Sequence, residues 1–374
     1  MTSSSLFHTY RIKNSQNIEI DPESPITFYN MKNIPEYPFP SIPGVIDESD
    51  VYSLWSMKLL IDKYYTLDGE DNSSLYRNIR DRYILKFSQL PRMKEVQELD
   101  YKTNASYKII PILDHYLPKS SRPVDLLWGI AEAPGASIYA SLKLNYAKEA
   151  KGISLRDDGG LEWSEKLNDH PMEIVWGSKD DGNIISLENI DSLDSESADV
   201  VIADGGFSTW ELNESNENKN KLITFQQDLI TLPLVISEIL AALKLLKRDG
   251  LAVIKIFDTY SSTLLSLVYL LKQVFETVDV VKPNVSRMSN SEKYLVLQNV
   301  SNDQNKRNLV ELLRRSVEGF QDDTELFPVF HEIEMNISDE TFLKSYSDMD
   351  DEITKRQLDL LTRIAKEMKY QLEM

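Results

Sequence analysis

The amino-acid sequence predicts an α/β fold: a mostly parallel, doubly wound, seven-stranded sheet that ends in an antiparallel hairpin. Two observations carry that prediction. Between residues 124 and 283 short apolar runs alternate with helical text, the mark of strand–helix–strand units. Only nine residues, "NVSRMSNSE", then separate "TVDVVKP" from "KYLVLQNV". A parallel crossover takes about a dozen residues or more, so these last two runs must pair antiparallel.

The elements follow in order. Residues 1–50 carry the proline-rich "IPEYPFPSIPGV" and little periodicity, so they read as an extended arm, partly ordered against the body. Residues 51–100 read as a helical extension. There "SDVYSLWSMKLLIDKYY" opens on a Ser/Asp cap and keeps its apolar residues on one face. "NSSLYRNIRDRYILKFSQL" repeats that pattern after an acidic, glycine-containing turn.

Residues 101–300 hold the expected strands "VDLLWGI", "AKGISL", "MEIVWG", "DVVIADGG", "LAVIKIF", "TVDVVKP" and "KYLVLQNV". Helices are expected from about Ser137, over a long stretch ending near Arg248, and over "STLLSLVYLLKQVF". Residues 301–374 read as a helical C-terminal extension, whose last stretch repeats apolar residues every three or four positions, as a helix packed on the body does.

Composition narrows the function. Hydrophobic residues make up 41% and charged residues 27%, as in an ordinary folded, soluble chain rather than a disordered one. The richest apolar stretch, "LITLPLVISEILAALKLL", is broken by Glu238 and Lys244, so no membrane span is expected. The N-terminus lacks the basic start and apolar core of a secretory signal. Without cysteine, disulfides and thiolate metal sites are excluded, and a reducing compartment suits the chain. The four histidines are scattered, so no metal site is expected. A formal net charge of −19 argues against a general nucleic-acid binder, though basic residues can still line one cleft.

Polar residues at strand ends are the candidates for chemistry. "AEAPGAS" follows the first strand, and there Glu132, Pro134 and Gly135 make either a tight strand–helix turn or a cofactor loop. Asp204 closes "DVVIADGG" as either a capping residue or a functional acid. Lys255 lies within an apolar strand, where an unpaired ammonium is costly. It wants a carboxylate partner, and Asp204 and Glu292 stand at the ends of other strands. That suggests a Lys–carboxylate cluster in a cleft.

The ordered segments "EAPGAS", "DVVIADGGFS", "LAVIKIFD" and "KPNVSRMSNSEKYLV" resemble the FtsJ-like (RrmJ-type) ribose 2′-O-methyltransferases. They are nearest to the branch that acts on mRNA caps in eukaryotes and large DNA viruses. "DDGNIISLENI" resembles a further segment of that branch, and the likeness covers about residues 100–300. It implies the Rossmann-like fold of class I methyltransferases, S-adenosylmethionine as cofactor, and RNA as substrate. The family's catalytic Lys–Asp–Lys–Glu set falls on Lys108, Asp204, Lys255 and Glu292. Lys108 is selected by "TNASYKIIPILDHYL", while Lys58, the competitor, lies too far upstream.

Carried over in the same way, Glu132, Ala133, Pro134, Gly135, Ala136 and Ser137 would face the cofactor's methionine and ribose. Asn183 and Ile184 would lie against its adenine, and Asp204 would border it. The family's usual "PGG" and "GDI" are here Pro134-Gly135-Ala136 and Gly182-Asn183-Ile184. Ser286, Arg287 and Asn290 would contact RNA, with no metal required.

The implied activity is methylation of the first transcribed nucleotide of capped mRNA, and the implied partner is the capped 5′ end. Other capping or transcription proteins would meet the terminal helical regions. The cytoplasm, a viral factory or the virion would suit a viral chain, and the nucleus a cellular one. A structured-RNA methyltransferase, for example one acting on rRNA, and a catalytically inactive RNA-binding or capping-complex subunit are the alternatives. A dinucleotide oxidoreductase falls behind them, because its glycine fingerprint is absent.

Overall fold

The computed structural model describes residues 7–29, 45–65, 67, 71–83, 93–156, 160–206, 227–286, 289–321, 330–333 and 337–373. The arm contributes strands β1 (Phe7–Arg11) and β2 (Ile26–Tyr29). Helices α1 (Glu48–Tyr65), α2 (Ser73–Arg82), α3 (Lys94–Glu98) and α4 (Asn104–Tyr116) precede the alternating core. That core runs β3 (Val124–Ile130), α5 (Ala136–Lys143), β4 (Ala147–Ile153), β5 (Met172–Ile174), α6 (Leu187–Asp191) and β6 (Ala198–Ala203). It continues with α7 (Gln227–Leu245), β7 (Leu246–Ile256), α8 (Ser262–Lys272), β8 (Phe275–Pro283) and β9 (Lys293–Val300). After it come α9 (Asp303–Gln321), β10 (Phe330–Ile333) and α10 (Glu340–Leu372).

The main sheet has the order β1-β8-β9-β7-β6-β3-β4-β5. Strands β3 to β7 pair in parallel, and β9 runs antiparallel to both β7 and β8, so the short connector does close a hairpin. The fold is the Rossmann-like class I methyltransferase sheet with helical extensions. It has eight strands rather than seven, because the arm adds β1 antiparallel to β8. A bare β8 edge would present unpaired N–H and C=O groups; β1 covers them. Arg11 on β1 pairs with the buried Asp279 on β8, which also accepts from Tyr116 Oη at 2.7 Å.

Both faces of the sheet are covered, which is why its strands read as near-continuous apolar runs. Leu127, Val200, Val253 and Val296 pack toward α4 and α5. Their alternates Trp128, Val201, Ile254 and Leu297 pack toward α7, α8 and α9. A third cluster holds the extensions together, with Leu54 of α1, Ile79 of α2 and Leu361 and Ile364 of α10.

Helix α10 also touches the edge of the sheet that carries the candidate residues. Thr259, just after β7, donates to Asp350 at 2.6 Å, and Gln357 Nε2 donates to the Ser289 carbonyl at 3.1 Å. Asp339 caps the helix by accepting from Phe342 N at 3.1 Å, and it accepts from the arm at Ser15 N (2.8 Å) and Gln16 N (2.7 Å). Asp339→Ala is therefore expected to cost about 1–3 kcal/mol in urea denaturation, since one change removes both a helix cap and the arm's anchor. No helix among the described residues is long and apolar enough to cross a membrane.

Candidate active site

The strand order reverses around β3 and β6, and ligands of open α/β sheets lie beyond the carboxyl ends of strands at such a point. Beyond β3 the chain turns through Glu132 to Gly135, which caps α5 in the left-handed region at φ 86°. A Cβ there would stand 2.6 Å from Leu167 and 3.1 Å from the Trp163 ring, so glycine is needed for both conformation and space.

The Glu132 carboxyl is buried, and its Oε1 has no partner among the described residues. Burial first, and then the Asp204 charge, push its pKa well above the ordinary range, with Lys255 acting against them. Ser137, fully buried at the start of α5, likewise has an unpartnered hydroxyl.

Gly182, Asn183 and Ile184 pass beside the end of β4, where a Cβ on Gly182 would fall 1.9 Å from the Ser154 carbonyl. Asn183 Oδ1 accepts from Ile185 N at 3.0 Å, closing an Asx turn. That turn needs an acceptor rather than a charge, so asparagine serves it. Ile184 is buried at the same edge.

Beyond β6 and β7 stand Asp204 and Lys255. Lys255 Nζ donates to the Asp204 carbonyl at 2.6 Å and lies 3.3 Å from its Oδ1. The same Oδ1 accepts from Tyr294 Oη at 2.9 Å, so Asp204 is held from two strands. Burial lowers the Lys255 pKa, but Asp204, Glu292 and Glu238 together outweigh it and leave it above the ordinary lysine value. Gly206 keeps this corner open: a Cβ there would come 3.3 Å from Lys255 Nζ.

The second pair closes the other side. Lys108, on α4, reaches both oxygens of Glu292 at 2.6 and 2.9 Å. Burial would raise the Glu292 pKa, and Lys108 and Lys255 together bring it below the ordinary range. The four residues Lys108, Asp204, Lys255 and Glu292 thus form two ion pairs, coupled through the Lys255–Glu292 attraction. Lys58 pairs instead with Asp258, at 3.9 Å.

With that geometry in view, comparison with known families matches residues 101–300 to the FtsJ-like methyltransferases. The chain belongs to that family. It is similar to cap-specific mRNA (nucleoside-2′-O-)-methyltransferase 1 of Drosophila melanogaster, 30% identical over 62% of this chain and 30% of that protein. The proteins of that name from Trypanosoma brucei brucei and Leishmania braziliensis are 36% and 31% identical, over 39% and 65% of this chain and 38% and 61% of theirs. In each case less than two thirds of the relative's length is spanned.

Within this FtsJ-like site the expected RNA contacts divide. Ser286 is buried and donates to Glu292 Oε1 at 3.1 Å, so its hydroxyl steadies the acid. Asn290 is half-buried, and its Oδ1 accepts from Lys282 at 2.8 Å. Arg287 lies outside the described residues.

Three residues of the site escape the sequence reading. Tyr294 holds Asp204. Lys282, fully buried, spends three hydrogen bonds of 2.6–2.8 Å on Asn290 and on the Glu292 carbonyl, tying down the loop before β9. Glu238, on α7, accepts from Gly205 N at 3.1 Å. Their signals were a tyrosine two places after Glu292, a lysine before Pro283, and the glutamate that breaks the longest apolar run.

Proposed function

We propose that this chain transfers a methyl group from S-adenosylmethionine to the 2′-oxygen of the first transcribed nucleotide of capped mRNA. The single observation that carries the reading is the pairing of Lys255 with Asp204 and of Lys108 with Glu292, beside the Glu132–Gly135 turn. Family membership supports a methyltransferase that uses this cofactor.

The residues present fit the cofactor. Glu132 Oε1 and Ser137 Oγ are buried polar atoms without partners among the described residues, and Gly135 leaves backbone bare at the start of a helix. Glu132, Ala133, Pro134, Gly135, Ala136 and Ser137 would hold the methionine and ribose end, with Asn183 and Ile184 against the adenine. S-adenosylmethionine, when bound, supplies an electrophilic methyl group on a sulfonium.

The chain's own residues prepare the acceptor. Lys255 Nζ holds the ribose hydroxyl and takes its proton as the oxygen attacks. Asp204 and Tyr294 fix that amine in place, and Lys108 with Glu292 braces the opposite wall. Because Lys255 is held charged in the free protein, the rate should climb as pH rises toward its elevated pKa, with the cluster titrating as a unit. Placing the hydroxyl in line contributes alongside basicity. Need for a 2′-hydroxyl makes RNA the substrate. A chain of net charge −19 suits a short 5′ end better than a long duplex.

The test is transfer of labelled methyl groups to capped and uncapped versions of one short RNA. Label only on the capped RNA is the expected result. Equal label on both would point to another RNA target, and no label with no cofactor binding would overturn the reading.

A further inference from the structure

Beneath the turn that follows Asp204 lies a carboxyl group with no role in the scheme above. Glu238, in the middle of α7, is wholly buried. One oxygen accepts the Gly205 N–H at 3.1 Å, and the other has no partner among the described residues. Only glycine permits this approach, since a Cβ at Gly205 would lie 2.3 Å from Glu238 Oε1. On the far side of the same turn, Gly206 stands against Lys255.

The charged groups that act on the Glu238 carboxyl are Lys255 of β7 and Asp204 at the end of β6, and Glu238 in turn bears on Glu132 beyond β3. A carboxylate buried with a single neutral donor is poorly solvated, so the protonated form is favoured. Burial first, relieved in part by Lys255 and Gly205 N–H, puts its pKa up at about 8. Asp204 already brings negative charge to the same space.

We propose that Glu238 is a positioning residue for methyl transfer: it props the Asp204–Gly205–Gly206 turn against Lys255, and its own proton governs how readily Lys255 becomes neutral. This rests on the reading of Lys255 as the group that takes the ribose proton. While Glu238 is protonated, Lys255 feels two carboxylates, Asp204 and Glu292. Once Glu238 ionises, a third negative charge holds the ammonium proton, and the alkaline rise in rate is deferred to higher pH.

Glu238→Gln isolates the effect, because glutamine has the same shape and keeps an acceptor for Gly205 N–H but cannot ionise. Rates of the full chain on capped RNA should be followed from about pH 6.5 to about pH 10. The variant's ascending limb should move to lower pH by about half a unit, an activity about threefold above wild type on that limb. Coincident limbs in an active wild type overturn the inference.

Infrared spectroscopy reads the proton without any turnover. In the wild-type-minus-Glu238→Gln difference spectrum, where the Glu132 carboxyl common to both cancels, a protonated-carboxyl band that fades as pH rises through about 8 is expected. No such difference band at neutral pH overturns the inference. A wild type that shows the band but methylates no RNA refutes the functional reading on which the inference rests, and takes the governing role with it.

Discussion

Lys255→Met should reduce methyl transfer by about a hundred- to ten-thousand-fold while leaving S-adenosylmethionine binding measurable, because the change removes an amine and keeps an apolar stem of similar length. The loss reads two effects together. The proton acceptor is gone, and Asp204 loses the ammonium 3.3 Å away that compensates its charge. A second variant separates them. The chain has no cysteine, so Lys255→Cys introduces a unique thiol on a side chain that is 12% exposed to the cleft. Aminoethylation of that thiol rebuilds a lysine-length amine and should restore activity. The thioether lowers the amine's basicity, so the ascending limb of the restored enzyme should sit at lower pH than wild type. Restored activity with an unmoved limb would deny Lys255 the proton, and full activity in Lys255→Met would deny it any role.

The second large effect belongs to the other pair. Lys108→Met leaves Glu292 without its partner, and Glu292→Gln does the converse. Breaking one side of a largely buried pair typically costs about 3–5 kcal/mol, mostly through the charge left behind. Each single variant should lose about a hundredfold or more in kcat/KM. The double variant should lose little beyond the worse single one, because both report one interaction. Multiplying losses would mean that Lys108 and Glu292 act independently, against the bidentate contact at 2.6 and 2.9 Å.

Several features of this site were legible in the sequence because polar residues in strands are conspicuous. Lys255 interrupts an apolar run, and Asp204 and Glu292 stand at strand ends, so a cluster could be expected before any geometry was known. The nine-residue connector settled the direction of β9 by chain length alone. Lys108 and Lys58 could not be separated by periodicity, since both lie on helices; the family resemblance favoured Lys108, and the structure places it on Glu292.

Long-range pairing was not legible. Nothing in Phe7–Arg11 announces that it will add to β8, because an edge strand takes its register from a partner far along the chain. The packing of α10 on α1 joins segments separated by most of the chain, and an amphipathic face names no partner. Glu238 and Lys282 illustrate the same limit at the site. Each was visible as a charge in apolar text, but whether such a charge is buried and what it touches depends on tertiary structure.

The most direct test of the central claim is to digest the methylated capped RNA to nucleosides and find the atom that bears the label. The account predicts label on the ribose 2′-oxygen of the first transcribed nucleotide, and none when that nucleotide is replaced by its 2′-deoxy counterpart. Label on a base, or label that persists on the 2′-deoxy RNA, would contradict it.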